Sequence, residues 1–318
     1  YEVQFIRVLN DLKHGIPAIL KNDTESSQIV AIDRINENQY LQIKENWLNA
    51  QLVISGQRAK FLSNDSITEN SQLPCQNLTW QQVHEIIYAD AIKKYKWQTS
   101  SNITEQAMKL LQLAEIFPAF ITAKPNVQKD QSITLDVTDL AENIATINNN
   151  IYEVCQADLK LKKGKGKIVA FRCRWQKDHY ALIIDPVGTN SSAPLVRLHS
   201  SCFTGDLLAS LKCDCYDQLQ GAIEIMSSNN GGVILYINQE GRGIGLTNKV
   251  RVYNMIAKGY DTVEANENLG FANDLRDFSI AANILKMLDI NEIKLLSNNP
   301  NKGKSLQKHG IKIKEYVS

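Results

Sequence analysis

Short apolar runs alternate with polar turns along the whole chain, a pattern typical of a mixed α/β (α+β) protein. Near the N-terminus, residues 16–20 and 29–32 are predicted strands on either side of the polar segment 22–26. Apolar residues at helical spacing predict helices over residues 79–95 and 104–116. The first part of the chain is therefore predicted to be a separate α/β domain.

The helix predicted over 79–95 has a recognisable start. Thr79 and Gln82 stand at the spacing of a capping box, in which each side chain accepts a hydrogen bond from the other residue's backbone. Its apolar face consists of Val83, Ile86, Ile87, Ala91 and Ile92. The helix over 104–116 is expected to end before Pro118, because the residue before a proline disfavours the helical conformation.

The second half of the chain alternates more regularly between strands and helices. Strands are predicted over 168–171, 180–185, 194–199, 232–238, 292–296 and 311–316. Helices are predicted over 218–227, 246–257, 277–288 and 303–309. A polar break near residue 150 separates the halves, so we predict an N-terminal domain over 1–150 and a second domain over 151–318.

Length and charge restrict the class of protein. The chain has 318 residues, and its 35 basic and 34 acidic residues leave a net charge of +1. That balance argues against a nucleic-acid or membrane-surface binder, because either needs a large field of one sign. No stretch approaches the ~20 apolar residues of a membrane span. The first residues lack a signal-peptide pattern, so we expect a cytoplasmic protein without nucleic-acid or membrane partners.

Three of the six cysteines lie within fourteen residues, as Cys202, Cys213 and Cys215. In a reducing compartment such a cluster indicates a metal site before a disulfide. Zinc prefers thiolate ligands, and a catalytic zinc site keeps three protein ligands with a fourth position open. His199 is close enough in sequence to be a fourth ligand or a catalytic side chain, and three ordinary buried cysteines are the alternative. Because Cys213 and Cys215 are two apart, at least one should lie outside regular helix.

A glycine-rich segment, residues 239–245, follows a predicted strand and precedes a predicted helix. Its three alternate glycines allow close approach of a ligand to the backbone, and a helix N-terminus favours phosphate. Arg242 offers a forked donor for phosphate or a base edge, and Glu240 could accept hydrogen bonds from guanine. A plain tight turn is the alternative. No Gly-Lys-Ser/Thr follows, so the segment is not a Walker A loop.

Two further polar segments are candidates for the edge of a pocket. Residues 261–277 place charged side chains among small and apolar ones, although Asp274 or Asp277 could simply cap a helix. Residues 297–302 form a polar loop directly after a predicted strand, which is a common ligand position, and a surface turn is the alternative.

Together these segments resemble the GTP cyclohydrolase II family over about residues 152–318. The matching blocks are 197–206, 210–215, 239–246, 259–266, 269–271, Asp274, 276–278 and 297–300. The resemblance implies a zinc-dependent hydrolase that opens the guanine ring of GTP at C8. The implied products are formate, diphosphate and 2,5-diamino-6-hydroxy-4-(5-phosphoribosylamino)pyrimidine, in the first step of riboflavin biosynthesis.

The resemblance also implies roles for individual residues. Cys202, Cys213 and Cys215 would hold zinc, and magnesium would accompany the triphosphate. Asp274 would accept a proton, Tyr253 would assist ring opening or loss of formate, and Arg276 would attack the α-phosphorus or stabilise its charge. The implied GTP-binding residues are Arg197, Leu198, His199, Ser200, Ser201, Gln218, Glu240, Gly241, Arg242, Thr262, Ser297 and Lys302.

This sequence departs from the family pattern at three positions. Ser201 replaces a frequent Glu, Tyr216 a frequent Gly and Ser297 a common Thr. The change at Ser201 alters one of the implied nucleotide contacts. The family also implies a homodimer.

The N-terminal half is only faintly similar to another family, the dihydroxybutanone phosphate synthases, over residues 11–20. The acidic cluster that such a lyase uses for magnesium is not matched in residues 21–27. We therefore predict a degenerate, noncatalytic domain. Three alternatives remain: a cyclohydrolase that stops at the formamide product, a nucleotide-binding or structural-zinc protein without activity, and an unrecognised activity in the N-terminal half.

Overall fold

The structure is a computed structural model that describes residues 1–63, 67–89, 95–126, 132–162, 164–184 and 193–317. The chain folds into two compact units. Unit 1 consists of Tyr1–Asn143 together with Arg242–Leu275. Unit 2 consists of Ile144–Gly241 together with Arg276–Ser318. Each unit contains its own sheet and helices, which confirms the predicted mixed α/β class.

The strands and helices are numbered in chain order. The strands are β1 Ala18–Lys21, β2 Ser26–Ala31, β3 Gln51–Ile54, β4 Ser71–Pro74, β5 Gln98–Thr99, β6 Ala119–Ala123, β7 Thr134–Asp136, β8 Ile151–Lys160, β9 Lys165–Cys173, β10 His179–Ile184, β11 Leu195–Ser200, β12 Gly232–Ile237, β13 Glu292–Leu296 and β14 Lys312–Val317. The helices are α1 Glu2–Lys13, α2 Glu37–Asn46, α3 Gly56–Ser63, α4 Trp80–Tyr88, α5 Ile103–Leu113, α6 Leu140–Asn148, α7 Cys215–Ser228, α8 Glu240–Gly243, α9 Leu246–Ile256, α10 Thr262–Asn268, α11 Ser279–Met287 and α12 Pro300–Lys308.

The sheet of unit 1 has the strand order β5-β4-β3-β6-β2-β1-β7. Its neighbouring strands are antiparallel except β1 and β7, which are parallel. The core on this sheet includes Leu52 and Ile121, which are partners in register. The segment 242–275 contributes to the same core through Ile244, Val252, Met255, Ala265, Leu269 and Phe271.

The two compact units therefore differ from the two consecutive domains predicted from the sequence, 1–150 and 151–318. The segment 242–275 belongs with the N-terminal residues because the apolar faces of α9 and α10 are buried among theirs. A helix with one apolar face must bury that face, but its sequence does not state against which sheet. The sequence pattern therefore identified the helices without identifying their partner.

The sheet of unit 2 has the strand order β14-β13-β11-β12-β10-β9-β8. The four strands β14, β13, β11 and β12 are parallel to one another. The pairs β12–β10, β10–β9 and β9–β8 are antiparallel. The core of this unit joins the buried sides of β11, β12 and β13 to α11 and α12. Parallel strands place their carboxyl ends at one edge of the sheet, which concentrates the loops that follow them.

The predicted elements agree closely with the structure in several places. The strand predicted over 292–296 has the bounds of β13, and Thr79 and Gln82 form the predicted capping box of α4. Ala91, Ile92 and the predicted strand end at residue 185 lie outside the described residues. The last helix, α12, begins at Pro300, three residues earlier than predicted, because Asn299 accepts a hydrogen bond from the backbone of Asn301 and caps it.

Candidate functional site

The predicted site residues of unit 2 gather at the carboxyl edge of its parallel strands. Strand β11 leads to Ser200, Ser201 and Cys202, and the neighbouring strand β12 leads to Glu240. Strand β13, on the other side of β11, leads to Ser297. Three loops that are distant in sequence therefore begin side by side, because their strands are parallel neighbours in one sheet.

The three clustered cysteines meet in space. The sulfur atoms of Cys202, Cys213 and Cys215 all lie within 4.8 Å of one another, and the Sγ atoms of Cys202 and Cys213 are 3.5 Å apart. Cys202 is buried, and the other two are partly exposed. Cys213 precedes α7 and Cys215 is its first residue, so one of this pair lies outside regular helix, as predicted.

Gly205 is enclosed by the three cysteines. A Cβ atom at this position would lie 3.0 Å from the Sγ atoms of Cys202 and Cys213 and 2.8 Å from the Cβ of Cys215. Its backbone N–H donates a hydrogen bond to the Cys202 Sγ at 3.3 Å. Such a donor stabilises a thiolate, and the missing side chain lets the sulfur atoms converge. Sequence reasoning missed this residue, since a glycine between cysteines carries no marker of its function.

The chemistry of the sulfur cluster fits a soft cation. Burial raises the pKa of the Cys215 thiol, and the neighbouring Cys202 and Cys213 raise it further. Three thiolates in such surroundings need a positive charge to balance them, and zinc is well matched to sulfur ligands. Three protein ligands also leave one position of a tetrahedral centre open. The cluster can therefore bind a metal of the zinc type.

Asp206 ties the first cysteine to the sheet. Its Oδ2 atom accepts hydrogen bonds from the backbone N–H of Cys202 at 3.0 Å and from the hydroxyl of Tyr236 at 2.8 Å. Its Oδ1 atom lies 3.0 Å from the Nε2 of His199. Burial alone would raise the pKa of Asp206, but the hydrogen bonds and charge of its neighbours outweigh burial and lower it. Sequence reasoning did not select Asp206 as a site residue, although it lies inside a matching block.

His199 was predicted as a fourth metal ligand, as a catalytic side chain or, by resemblance, as a GTP contact, and these roles stay predictions. Its side chain is buried, its Nε2 faces Asp206, and its ring stacks on Tyr236 with centroids 5.6 Å apart. The three-sulfur cluster of the described residues does not include His199. The imidazole therefore supports the loop that carries Cys202.

Glu240 connects the end of β12 to the cysteine loop. Its buried Oε2 accepts a hydrogen bond from the backbone N–H of Phe203 at 2.6 Å, one residue after Cys202. The preceding residue, Gln239, donates to the backbone oxygen of Asp277 at 2.8 Å. The carboxylate predicted to contact guanine is thus held beside the loop that carries Cys202. The other oxygen, Oε1, accepts from the backbone N–H of Gly241 at 3.2 Å, and each carboxylate oxygen can accept more than one hydrogen bond.

Arg197 places a cation near the cysteines. Its Nη2 donates to Gln218 at 2.5 Å, while its buried Nε has no hydrogen-bond partner among the described residues. Burial lowers the pKa of Arg197, and the nearby Asp214 and Cys215 act in the opposite direction. A half-buried guanidinium whose buried Nε donor is unused is suited to an anionic ligand. The structure therefore brings Arg197 and Gln218 together, while their contact with GTP stays a prediction.

Three further predicted residues of unit 2 lie close to these strands. Arg276 approaches Ser200, with Nη1 and Oγ 3.5 Å apart. Lys302 donates to the backbone oxygen of Leu198 at 2.8 Å, so it joins α12 to β11. The hydroxyl of Ser297 accepts from the backbone of Asn299 at 3.1 Å. The loop after β13 thus contains a hydrogen bond of a local turn at Ser297, where a contact with the ligand was predicted.

Four predicted residues belong to unit 1. Arg242 is exposed and has a left-handed backbone with a φ of 62°. Tyr253 is half-buried on α9, and Thr262 is the exposed first residue of α10. Asp274 is exposed in the segment between α10 and α11.

Two glycines of the 239–245 segment are explained by packing inside unit 1. A Cβ at Gly243 would meet the backbone carbon of Leu275 at 3.0 Å, and one at Gly245 would meet the Cβ of Glu115 at 2.9 Å. Both glycines also have positive φ values, which other residues rarely adopt. Their predicted role in approaching phosphate stays a prediction.

These features define a class of protein: an α/β protein with a cluster of three cysteines, suited to a metal ion, at the carboxyl edge of parallel strands. The family model described as GTP cyclohydrolase II matches residues 152–318, and the chain belongs to this family. A GTP cyclohydrolase-2 from Tolumonas auensis is 51% identical over 141 residues, covering 44% of this chain and 71% of that protein. One from Vibrio cholerae is 50% identical over 141 residues, with the same coverage of both chains.

A riboflavin biosynthesis protein RibBA from Endomicrobium trichonymphae is 40% identical over 231 residues. This match covers 67% of this chain, more than the family segment alone, so it includes residues N-terminal to Tyr152. The chain spans only 57% of the RibBA protein. A solved two-domain 3,4-dihydroxy-2-butanone 4-phosphate synthase from A. baumannii, RibBX, aligns over 99% of both chains with 16% identity and a TM-score of 0.35. No helix among the described residues has the length and apolar character needed to cross a membrane.

Proposed function

We propose that this protein hydrolyses GTP in a zinc-dependent reaction. The proposed products are formate, diphosphate and 2,5-diamino-6-hydroxy-4-(5-phosphoribosylamino)pyrimidine, as in the first step of riboflavin biosynthesis. The observation that carries the proposal is the convergence of Cys202, Cys213 and Cys215 around Gly205, inside the segment that matches the GTP cyclohydrolase II family. A set of three thiolates with an open fourth position is characteristic of catalytic rather than structural zinc.

Cys202, Cys213 and Cys215 would hold the zinc ion. When bound, zinc supplies the Lewis acidity that makes water a nucleophile near neutral pH. The chain's own residues hold this centre in shape: Gly205 donates to Cys202, and Asp206 accepts from the backbone of the same cysteine. Partners of this kind orient metal ligands and commonly alter metal affinity by 10–100-fold.

The residues around the centre are proposed to bind the nucleotide. The unused Nε donor of Arg197 would bind a phosphate oxygen, and Gln218 would keep the guanidinium in place. Glu240 would accept from the ring N–H and amino group of guanine while it holds Phe203. Magnesium would accompany the triphosphate, since a hard cation favours phosphate oxygens.

Arg276 is proposed to act on the α-phosphorus. Its guanidinium lies beside Ser200 and over the ring of Phe278, with 5.3 Å from Cζ to the ring centroid. A guanidinium stays protonated near neutral pH and is then a poor nucleophile, which favours electrostatic stabilisation of the phosphoryl group. Asp274 would accept a proton and Tyr253 would assist ring opening. The other nucleotide contacts proposed are Leu198, His199, Ser200, Ser201, Gly241, Arg242, Thr262, Ser297 and Lys302.

The proposal extends to the whole chain. Residues 1–150 are proposed to be noncatalytic and residues 151–318 to carry the cyclohydrolase activity. The protein is proposed to be a homodimer in the cytoplasm, where reducing conditions would keep the three thiols free for metal. Incubating the full chain with ribulose 5-phosphate and magnesium tests the N-terminal half. Formation of dihydroxybutanone phosphate would show that this half is catalytic after all.

The main test is to incubate the zinc-loaded protein with GTP and magnesium and to identify the products by mass. Formate and diphosphate, released together with the pyrimidine and lost in Cys213→Ser, are the expected result. A formamide product without formate would instead assign the related cyclohydrolase reaction. No turnover by a protein that still binds zinc and GTP would leave a noncatalytic nucleotide-binding protein.

A further inference from the structure

The N-terminal residues and the segment 242–275 share one core, although the family match begins only at Tyr152. Val252 and Met255 of α9, together with Ala265 of α10, are buried in the same cluster as Leu52 and Ile121. The segment that carries Arg242, Tyr253 and Asp274 is therefore packed on residues outside the family match.

Asp33 anchors helix α9. Its Oδ1 atom lies 2.7 Å from the Nη2 of Arg251, and the two side chains are 5% and 25% exposed. The Tyr88 hydroxyl donates to the same carboxylate, and the guanidinium carbon of Arg251 lies 4.6 Å from the Tyr88 ring centroid. Arg251 also donates to Asn248 on its own helix at 2.7 Å. A largely buried ion pair of this kind holds one geometry, because a charge that lost its partner there would be poorly solvated.

Arg58 anchors the end of helix α10. The side chain is fully buried, and it donates to the backbone oxygens of Ile86 at 3.0 Å, Ala89 at 2.6 Å and Asn268 at 2.9 Å. Two of these carbonyls lie in or just after α4, and the third belongs to the last residue of α10. One planar guanidinium therefore fixes the end of α10 against the end of α4.

Close packing of the backbone at Gly270 adds to the contact that Arg58 makes with the end of α10. Gly270, two residues after α10, has a φ of 92° and lies so close to the Ser55 hydroxyl that a Cβ could not be accommodated. The same Cβ would lie 3.1 Å from the Cβ of Arg58 and 3.2 Å from Pro118. Gly270 is thus held in one position by its neighbours, and the segment that leads from it to Asp274 starts there.

We infer that residues 1–143 position the segment 242–275 for catalysis, with Asp33 and Arg58 as positioning residues. This inference rests on the proposed function, because Arg242, Tyr253 and Asp274 act on GTP only if GTP is the substrate. It assigns the N-terminal residues a task that needs no chemistry of their own. Small displacements of catalytic groups can slow a reaction by 100-fold, so a noncatalytic scaffold can determine the turnover rate.

The variants for the test leave the family segment unchanged. Asp33→Ala removes the partner of Arg251, and Asp33→Asn keeps one acceptor oxygen as a conservative replacement. Arg58→Lys keeps the charge but cannot reach three carbonyls in the same plane. Tyr40→Phe is the matched control: it removes the buried hydrogen bonds of the Tyr40 hydroxyl to the backbone oxygens of Cys75 and Leu78, within residues 1–143.

Hydrogen exchange of the zinc-loaded full chain tests the positioning directly and does not depend on activity. We expect Asp33→Ala to speed amide exchange in α9 and Arg58→Lys in α10, each by at least about tenfold, with α7 and β12 unchanged. In Tyr40→Phe, the amide exchange rates of α9 and α10 should equal those of the parent protein. Unchanged exchange in α9 and α10 of both anchor variants would overturn the inference.

Steady-state kinetics then separate positioning from simple loss of folded protein. At a temperature where every variant is folded and fully zinc-loaded, we expect Asp33→Ala to lower kcat by about tenfold with little change in KM. Asp33→Asn should recover part of the rate, and Tyr40→Phe should stay within about twofold of the parent. If the activity of each variant fell only in proportion to its folded fraction, Asp33 would not be a positioning residue. A parent protein that does not turn over GTP would refute the proposed function instead, and hydrogen exchange would still decide the anchors.

Discussion

Gly205 and Cys202 are in such close contact that any side chain at position 205 would touch sulfur. A Cβ there would lie 3.0 Å from the Cys202 Sγ, while the Gly205 N–H already donates to this atom. The glycine is thus part of the proposed metal centre, although it offers no ligand atom.

Gly205→Ala is therefore expected to weaken zinc binding by at least about tenfold, because one cysteine must move to admit the methyl group. Competition with a chromophoric chelator measures the zinc affinity. Gly221→Ala is the matched control: position 221 lies in α7, and a Cβ there would meet no atom within 4 Å. That change should leave zinc affinity intact and stabilise the helix slightly. Equal zinc affinity in both variants would disprove this role of Gly205.

Asp206→Asn should weaken zinc binding while the three cysteines remain. The native carboxylate accepts from the Cys202 backbone and from Tyr236, and it faces His199. The asparagine oxygen could keep the two donors that Oδ2 accepts, but the amide nitrogen would then replace the negatively charged Oδ1 that faces His199, so the charge at this contact is lost. We expect a 10–100-fold loss of zinc affinity. Tyr236→Phe, which removes a single donor to Asp206, should have a smaller effect, and the reverse order of the two variants would contradict this account.

His179 should make stability depend on pH. The side chain is fully buried, and burial lowers its pKa to about 4 from the ordinary 6.5, although Asp178 opposes the shift. Its Nδ1 accepts from the backbone of Asn238, so the native state holds the neutral ring. Because the unfolded state binds the proton first, stability is fully present above about pH 6.5 and falls as the pH drops toward 4.

The lowered pKa of His179 corresponds to a loss of about 3 kcal/mol in the free energy of unfolding once the pH is below 4. Urea unfolding measures the free energy of unfolding at pH 7.5 and at pH 5. This free energy should be lower at pH 5 in the parent protein, and the difference should be smaller in His179→Gln. Both proteins contain the same cysteines, so the pH dependence of metal binding cancels in the comparison. Identical losses in the two proteins would show that His179 is not the titrating group.

Glu240→Gln should reduce the preference for a guanine base. The carboxylate is proposed to accept from both the ring N–H and the amino group of GTP, whereas an amide cannot accept both. We expect kcat/KM for GTP to fall by about 10–100-fold and the preference for GTP over ITP to shrink, because ITP lacks the amino group. An unchanged GTP-to-ITP ratio would confine Glu240 to its contact with Phe203.

Local sequence chemistry predicted much of this protein. The spacing of Thr79 and Gln82 located the start of α4. The spacing of Cys202, Cys213 and Cys215 indicated a cluster of cysteines that the structure brings together. Both signals arise from short-range geometry, so neighbouring residues carry them. Gly205 and Asp206 were not selected, because their functions depend on atoms brought close by the fold.

The sequence by itself determined the α/β class, the strands that end in polar loops, the cysteine cluster and the family. Only the tertiary structure decided that the helices carrying Tyr253 and Thr262 share a core with the N-terminal residues. The reason is physical: an apolar helix face must be buried, but hydrophobic burial has no direction and does not specify its partner. That choice is made by long-range packing and by anchors such as Arg58, whose three carbonyl partners lie 28, 31 and 210 residues away.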